Sequence, residues 1–205
     1  MSSYKEYKLV ITELEKTLGR ENVLSTPKDL IAYSYDSTPF TGKPFVVVFP
    51  QNTEQVSAIM KIANKNNIAV VPRGAGTSLS GGPIASIGGI VVSFTRMDKI
   101  LEIDIENNRA IVQPGVTNLQ LQKALEPFNY WFPPDPASLS VATIGGNVAE
   151  NAGGPHCLKY GVTSNHVVGL EVVLPDGEII ETGSLVEDFP GYDLTGLFIG
   201  SEGTL

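Results

Sequence analysis

Residues 70–89 read V-V-P-R-G-A-G-T-S-L-S-G-G-P-I-A-S-I-G-G, a glycine-dense loop between two apolar runs. These runs, residues 68–71 and 90–94, are typical of short buried strands. Glycine adopts positive φ without steric cost, so such a loop can bring successive backbone N–H groups close to an anion. Arg73, where the first strand ends, is the only cation of the loop. The stretch therefore predicts a phosphate cradle, and a merely flexible connection is the alternative.

Two common phosphate motifs do not fit this loop. Gly76 and Gly81 have the spacing of the outer glycines of a P-loop, but Gly82 and Pro83 stand where lysine and serine or threonine are required. The dinucleotide fingerprint G-x-G-x-x-G fails because Leu79 replaces its third glycine. ATP hydrolysis and a Rossmann-type NAD site are therefore disfavoured.

A second stretch, residues 133–161, reads P-P-D-P-A-S-L-S-V-A-T-I-G-G-N-V-A-E-N-A-G-G-P-H-C-L-K-Y-G. Ten of the 21 glycines of the chain lie in residues 73–89 and 145–154. Two such stretches suggest one long ligand held from two sides. Thr143 is suited to cap a short helix that begins near Ile144, and we expect the start of this helix to offer free N–H donors to phosphate.

Five motifs in order carry a resemblance to a known family. They are P-R-G-A-G-T-S-L-S-G-G, P-P-D-P-A-S, T-I-G-G-N-V-A-E-N-A-G-G-P-H-C-L-K-Y-G, L-E-V-V-L-P-D-G-E and G-Y-D-L-T-G-L-F-I-G-S-E-G-T-L. Together they resemble the FAD-binding domain of the vanillyl-alcohol oxidase and p-cresol methylhydroxylase (PCMH) superfamily. Within it, the chain is most similar to the catalytic D subunit of glycolate oxidase and to FAD-linked D-lactate dehydrogenases. The resemblance runs from about Phe45 to the last residue.

The resemblance implies an α+β, two-subdomain PCMH-type FAD-binding fold with a helical N-terminal preamble. We expect residues 1–44 to form the preamble and residues 45–205 the FAD-binding domain, with its C-terminal end and a substrate domain missing. Because covalent members of the superfamily place a flavin-bonding histidine where Thr77 stands, FAD is expected to be non-covalent here. Thr77 and Ser78 can instead donate hydroxyl hydrogen bonds.

The resemblance also implies which residues contact FAD. The first stretch is expected to bind the pyrophosphate, through Arg73, Gly74, Ala75, Gly76, Thr77, Ser78, Gly81 and Gly82. The second stretch is expected to contact the isoalloxazine and ribityl parts, through Pro134, Asp135, Pro136, Ser138, Thr143, Gly145, Gly146, Asn147, Asn151, Gly154, Tyr160 and Gly161. For Asp135, a turn-forming role between two prolines is an equal alternative.

By family likeness, the substrate is a small 2-hydroxy acid, glycolate or D-lactate, and a hydride passes from its C2 to flavin N5. The catalytic residues and metal ligands of relatives belong to a later domain, so we expect no catalytic residue or metal site here and no turnover by this chain alone. His156 and Cys157 are adjacent, which disfavours a nucleophilic pair. The alternatives are a same-fold oxidoreductase with a different alcohol substrate, or a non-catalytic flavin module that needs a partner chain.

Composition narrows the partners further. The chain has 22 acidic and 14 basic residues, a net charge of −8, which disfavours nucleic-acid binding. No apolar run approaches the roughly 20 residues of a membrane span. The polar first eight residues and the single cysteine favour a cytoplasmic protein. An iron–sulfur or other electron-transfer subunit is a candidate partner.

Local patterns predict the elements that carry these motifs. We expect helices over residues 4–18, 26–33, 53–63 and 117–125, with Thr26 as a cap and Pro27 at the first helical position. Strands are expected over residues 45–49, 68–71, 90–94, 100–105, 110–113, 167–174 and 178–182, and a last strand is expected to open at residues 197–199.

Overall fold

The computed structural model describes residues 2–184 and 191–205. The chain forms two compact units, the first comprising Met1–Arg96 and Val172–Ile180, the second Met97–Glu171 and Glu181–Leu205. The helices are α1 (Ser2–Leu18), α2 (Pro27–Leu30), α3 (Thr53–Lys65), α4 (Asn118–Leu125), α5 (Ile144–Glu150), α6 (Cys157–Tyr160) and α7 (Leu194–Phe198). The strands are β1 (Val23–Leu24), β2 (Val46–Val48), β3 (Val70–Arg73), β4 (Ile90–Ser93), β5 (Ile100–Asp104), β6 (Arg109–Val112), β7 (Gly169–Val173) and β8 (Ile179–Gly183).

The first unit contains a four-stranded sheet in the order β1-β2-β4-β3. Strand β4 runs parallel to both of its neighbours, β2 and β3, while the short β1 is antiparallel to β2. Helix α3 connects β2 to β3. The connection from β3 to β4, residues 74–89, is called the glycine loop below, and it contains no helix although it joins adjacent parallel strands.

Alternation along the central strands gives this sheet two apolar faces. Val46 and Val48 of β2 belong to one core cluster, whereas Val47, between them, belongs to a second. Strand β4 repeats the pattern, because Ile90 and Val91 belong to different clusters. Successive side chains of a strand point to opposite faces, so both faces are covered and the strands read as continuous apolar runs.

Helix α1 packs in the first of these clusters through residues at three- and four-residue spacing. Val10, Leu14 and Leu18 are all buried, and Leu14 is fully so. The helix ends at Gly19, which has φ +88°. Helix α3 begins where Asn52 accepts a hydrogen bond from the backbone N–H of Gln55, a side-chain cap that satisfies one free donor of the first turn.

The second unit is built on the β5–β6 hairpin and helix α4. Thr117 caps α4, and its side chain and that of Gln120 form a reciprocal capping box. Leu121 and Leu125 on α4 form a buried cluster with Val116. The partly buried residues packed against this cluster are Ile100, Ile103, Val112, Phe132 and Ile144.

The β7–β8 hairpin belongs to both units. Its turn lies in the first unit, where the Ser57 hydroxyl of α3 donates to the Gly177 carbonyl at 2.5 Å. The Asn64 side chain donates to the Pro175 carbonyl at 3.2 Å. Gly177 has φ +86°, a left-handed conformation that glycine adopts without steric cost.

Most expected elements are confirmed, including the α+β class and the Thr26 cap with Pro27 after it. The last strand, expected to open at residues 197–199, is wrong. Residues 194–198 form helix α7 because the Asp193 carboxylate accepts the Gly196 N–H at 2.8 Å and caps a helical turn. Strand β3 is only half-buried, since it lies at the sheet edge.

The N-terminal residues contribute α1 and β1 to the first unit. Their expected status as a preamble separate from a domain at residues 45–205 stays a prediction. None of the helices in the described part of the chain is long and apolar enough to cross a lipid bilayer.

Replacing Leu14 by alanine tests the packing of α1 on the sheet. Removal of this fully buried side chain should lower the free energy of unfolding by about 2–5 kcal/mol, through lost burial and a residual cavity. Urea unfolding followed by circular dichroism measures the loss. Leu9→Ala on the same helix is the control, since Leu9 is 74% exposed and should change stability by less than about 0.5 kcal/mol. Equal effects of the two variants would contradict the packing.

Candidate FAD-binding loops

The glycine loop leaves the carboxyl end of β3 directly after Arg73. Gly76 and Gly81 within it have φ of +73° and +82°, where L side chains are strained. At Gly76 an added Cβ would also overlap the Arg73 guanidinium, whereas at Gly81 it would meet nothing within 4 Å. Backbone conformation therefore favours glycine at both positions, and a side chain at Gly76 would also have to displace the Arg73 guanidinium.

Four consecutive backbone N–H groups of this loop have no acceptor among the described residues. They belong to residues 74–77, called the amide run below. Further along the loop, Ser80 N–H donates to the Ser78 hydroxyl and Gly81 N–H donates to the Asp36 carboxylate. Unpaired backbone donors cost free energy unless water or a ligand accepts from them, so the amide run is suited to an anion.

The Arg73 side chain is turned into the protein and is only 7% exposed. Its Nη1 donates to the Tyr35 carbonyl at 2.8 Å, and its guanidinium lies 5.7 Å from the centre of the Tyr33 ring. Burial lowers the pKa of Arg73 from its ordinary value, while the nearby Asp36 charge opposes that shift. In this structure Arg73 therefore holds the start of the loop, and its contact with FAD stays a prediction.

In the second unit, Asp135 joins two parts of the second stretch. Its carboxylate accepts the backbone N–H of His156 at 3.1 Å and lies 2.6 Å from His156 Nδ1. An added Cβ at Gly154 would overlap the Asp135 backbone carbonyl, which explains that glycine by close packing. Trp131 and Tyr160 meet edge to face beside the pair, with ring centres 5.0 Å apart. Asp135 thus does more than turn the chain between prolines.

A buried pair of asparagines fixes the loop that carries Pro134. Asn118, at the first position of α4, is fully buried, and its side-chain amide donates to the Pro134 carbonyl at 2.8 Å. Its side-chain oxygen accepts from the amide of Asn147, which is also buried. The predicted site residues Pro134 and Asn147 are therefore brought together through Asn118, on two helices and a loop.

The start of α5 does not offer the free donors that were expected. Ile144 N–H donates to the Val116 carbonyl at 2.7 Å and Gly145 N–H to the Pro114 carbonyl at 2.9 Å. Gly146 N–H donates to the Thr143 hydroxyl, which caps the helix as expected. The expectation of phosphate-binding amides here is wrong, because carbonyls distant in sequence consume them. Contacts of FAD with Thr143, Gly145 and Gly146 stay predictions. Atoms other than these backbone N–H groups would have to make them.

The remaining predicted residues lie around the same elements of the second unit. Asn151 ends α5 at φ +48° and accepts the Ser164 N–H through its side chain. Gly161 ends α6 at φ +85°. Tyr160, at the end of α6, is partly exposed, and its hydroxyl accepts from Lys159 Nζ at 2.9 Å. Pro136 and Ser138 lie in the loop before α5, where the Ser138 carbonyl accepts the N–H groups of residues 141 and 142.

Sequence reasoning missed three side chains that organise these loops: Asp36, Asn118 and His156. Asn118 directly follows the Thr117 cap and shares a helix face with Leu121 and Leu125. A polar residue on such an apolar face was the available signal in the sequence. His156 was weighed only against its neighbour Cys157, whose Sγ instead lies 2.9 Å from the Gly154 backbone nitrogen. Nothing local to Asp36 signals its partner at Gly81, because the two are 45 residues apart. Within the described ranges, no group of three or more His, Cys, Asp or Glu side chains could hold a metal ion.

Comparison with known proteins identifies the class of these loops. A family model described as an FAD binding domain matches residues 44–183. The glycolate oxidase subunit GlcD of Bacillus subtilis (strain 168) is 49% identical over 195 residues, which cover 94% of this chain and 42% of that protein. The D-lactate dehydrogenase of Archaeoglobus fulgidus is 47% identical over 180 residues, covering 85% of this chain and 40% of that protein.

Solved structures agree with the sequence comparison. The crystal structure of p-cresol methylhydroxylase with substrate bound superimposes with a TM-score of 0.82 at 27% identity, covering 95% of this chain and 41% of that chain. The protein is a member of the FAD binding domain family, and its fold is of the PCMH type. This chain spans about two fifths of the length of the curated relatives it matches.

The residues of the chain fit FAD as a cofactor. The amide run offers four donors that suit phosphate oxygens, and Gly74 and Gly76 within it let the backbone approach a ligand closely. In the second unit, Trp131 and Tyr160 are partly exposed aromatic rings beside the His156–Asp135 pair. The amide run thus suits an anionic group, and the aromatic rings of the second unit suit an aromatic one.

Replacing Asn118 by alanine tests the buried asparagine pair. The change leaves the Pro134 carbonyl and the Asn147 amide without their partner, so the free energy of unfolding should fall by about 1–3 kcal/mol for each group that stays buried. Thermal unfolding measures the loss. The control is Asn107→Ala in the exposed β5–β6 turn, which we expect to be close to wild type. An Asn118 variant as stable as this control would disprove the pairing.

Proposed function

We propose that this chain holds FAD without a covalent bond, as the FAD-binding part of an oxidoreductase that acts on a small 2-hydroxy acid. The observation that carries the proposal is the amide run, whose four backbone donors meet no acceptor in the described part of the chain and lie inside the region that matches the FAD binding domain family. The names of two relatives, a glycolate oxidase subunit and a D-lactate dehydrogenase, support the substrate class.

In this proposal each unit performs a different task. The amide run binds the FAD pyrophosphate, and the hydroxyl groups of Thr77 and Ser78 add hydrogen bonds next to it. In the second unit, the residues around Asn118 and Asp135 hold the loops that contact the ribityl chain and the flavin. Once bound, FAD supplies the redox chemistry by accepting a hydride from C2 of the substrate at its N5.

The non-covalent character of binding rests on Thr77. Covalent attachment to the flavin ring needs a nucleophilic side chain, and a threonine hydroxyl lacks the ring nitrogen with which histidine makes that bond. FAD should therefore leave the protein completely when the chain is denatured. Acid precipitation of the FAD-loaded protein checks this, with the visible flavin absorption expected in the supernatant. Flavin that stays with the pellet would contradict non-covalent binding.

The substrate and the electron acceptor are proposed to contact parts of the whole protein that this chain does not include. The B. subtilis relative is named a subunit, which supports an electron-transfer partner chain for this protein as well. The residues that take the substrate hydroxyl proton are proposed to lie outside this chain, since it matches only two fifths of its relatives. Anaerobic mixing of the FAD-loaded chain with glycolate or D-lactate should therefore leave the flavin oxidised. Bleaching by the chain alone would show that it contains the catalytic residues.

Two glycines provide a matched test of the pyrophosphate loop. Gly81 and Gly88 have φ of +82° and +83°, and neither has an atom closer than 3.5 Å to an added Cβ. Alanine at either position should therefore cost a similar free energy of unfolding, about 1–2 kcal/mol. We expect Gly81→Ala, beside the amide run, to weaken FAD binding by roughly tenfold or more, and Gly88→Ala to leave it near wild type.

Quenching of flavin fluorescence on titration of the protein measures the dissociation constants. Thermal unfolding of the FAD-free variants confirms that the two substitutions are matched in stability. Equal affinities of the two variants for FAD would place the pyrophosphate elsewhere.

A further inference from the structure

A segment from the N-terminal part of the chain runs beside the glycine loop. Residues 33–43, called the flanking segment below, close on themselves through a bridge between Tyr35 and Thr41 and a bond from Gly42 N–H to the Ser34 carbonyl at 2.6 Å. This closed segment meets the glycine loop repeatedly. The backbone bonds are Ser37 N–H to the Ser78 carbonyl at 3.3 Å and Lys43 N–H to the Ala85 carbonyl at 2.9 Å.

Asp36 makes the charged contact between the two segments. It is 8% exposed, and its Oδ2 accepts the backbone N–H of Gly81 at 3.1 Å. Its Oδ1 accepts both the backbone N–H and the hydroxyl of Thr38, at 2.7 and 2.6 Å. A carboxylate that is buried to this degree must be hydrogen-bonded, and here three donors meet that requirement. Asp36 is thus oriented by its own segment and aimed at the loop.

The amide run lies between two attachments to this segment, one just before it at Arg73 and one after it at Gly81. At its beginning, the Arg73 guanidinium donates to the Tyr35 carbonyl, and Gly76 packs on that guanidinium. At its end, Asp36 fixes Gly81, a residue in the left-handed region. Between these two attachments lie the four N–H groups without an acceptor among the described residues. The free donors therefore lie in a stretch that the flanking segment holds from both directions along the chain.

Direct contact of Asp36 with the phosphate is disfavoured by charge, because two anions repel. Its carboxylate also already accepts three hydrogen bonds from the protein. A loop tied at both ends loses less conformational entropy on binding than a free one, so such ties raise affinity without touching the ligand. Loss of the bond between Asp36 and Gly81 should therefore lower FAD affinity as well as stability.

We propose that Asp36 is a positioning residue for the cofactor, which holds the glycine loop in its FAD-binding conformation before FAD arrives. This inference rests on the proposed function, in which the amide run takes the pyrophosphate. It makes the flanking segment part of the FAD site, although no residue of that segment touches the cofactor in the proposal.

The test replaces Asp36 by asparagine, which has nearly the same shape. The variant loses the charge, and one of its two terminal atoms becomes an N–H₂ group that cannot accept the Gly81 N–H. The control is Asp176→Asn, which removes the same charge from an exposed carboxylate of the first unit. Asp176 also accepts one backbone amide, that of Glu178 at 2.9 Å, but in the β7–β8 turn.

Two quantities are measured on the 205-residue chain. Hydrogen–deuterium exchange of the FAD-free protein, read by mass spectrometry on peptides that contain residues 74–82, should speed up by roughly tenfold or more in Asp36→Asn. The FAD dissociation constant, from flavin fluorescence, should rise by a similar factor. Asp176→Asn should match wild type in both. Unchanged exchange and unchanged affinity in Asp36→Asn would overturn the proposal.

Other outcomes separate this inference from the proposed function. Faster exchange with unchanged FAD affinity, while Gly81→Ala still weakens binding, overturns the role of Asp36 and leaves the proposed function standing. If Gly81→Ala binds FAD as wild type does, the proposed function fails. If Asp36→Asn does not fold, Thr38→Val decides. This variant keeps the shape of the side chain and removes one hydrogen-bond donor to Asp36. The rate of hydrogen–deuterium exchange and the FAD dissociation constant should then rise by smaller factors. No rise in either quantity contradicts the proposal.

Discussion

A connection without a helix between two adjacent parallel strands is the constraint on which the first unit depends. Strand β3 ends at Arg73 and β4 begins at Ile90, so the sixteen residues between them must return to the opposite end of the pair. Such crossovers are usually helices, which satisfy their own backbone groups. The glycine loop does so only in part, and its remaining polar backbone groups must find partners elsewhere. Residues 33–43 supply several of them, and the amides of residues 74–77 are left for a ligand.

The second glycine-rich stretch has a similar composition and a different physical reason for it. Gly145 brings α5 against Pro114, where an added Cβ would lie 2.6 Å from the proline Cβ. Gly154 gives the same close approach to Asp135. Here the glycines allow packing and the amides are consumed within the protein, so specificity for a ligand must come from side chains and carbonyl groups. The same residue type thus serves close packing in the second unit, whereas anion binding is the role proposed for it in the first.

The sequence predicted well what depends on neighbouring residues. The caps Thr26 and Thr143 were found because a cap and its amide partner are three residues apart. Family membership was also within reach, since it is carried by contiguous motifs. Strand β1 was missed because two residues show no alternation, and it exists only through pairing with β2. The amides of α5 were misjudged for the same reason, since their acceptors at Pro114 and Val116 lie on another segment. Long-range partners of polar groups were the part that local patterns could not supply.

The hydrogen bond from Ser57 to Gly177 has a consequence for the order of folding. It links residues 120 positions apart within the first unit, and residues 97–171 of the second unit lie between them in the sequence. A chain emerging from the ribosome exposes α3 long before the hairpin turn that covers it. The first unit therefore gains this contact only after most of the second unit has been synthesised. The core cluster that contains the apolar face of α3 is built from residues 10–94 and can form earlier, so docking of the hairpin turn on α3 should be a late step of folding during translation.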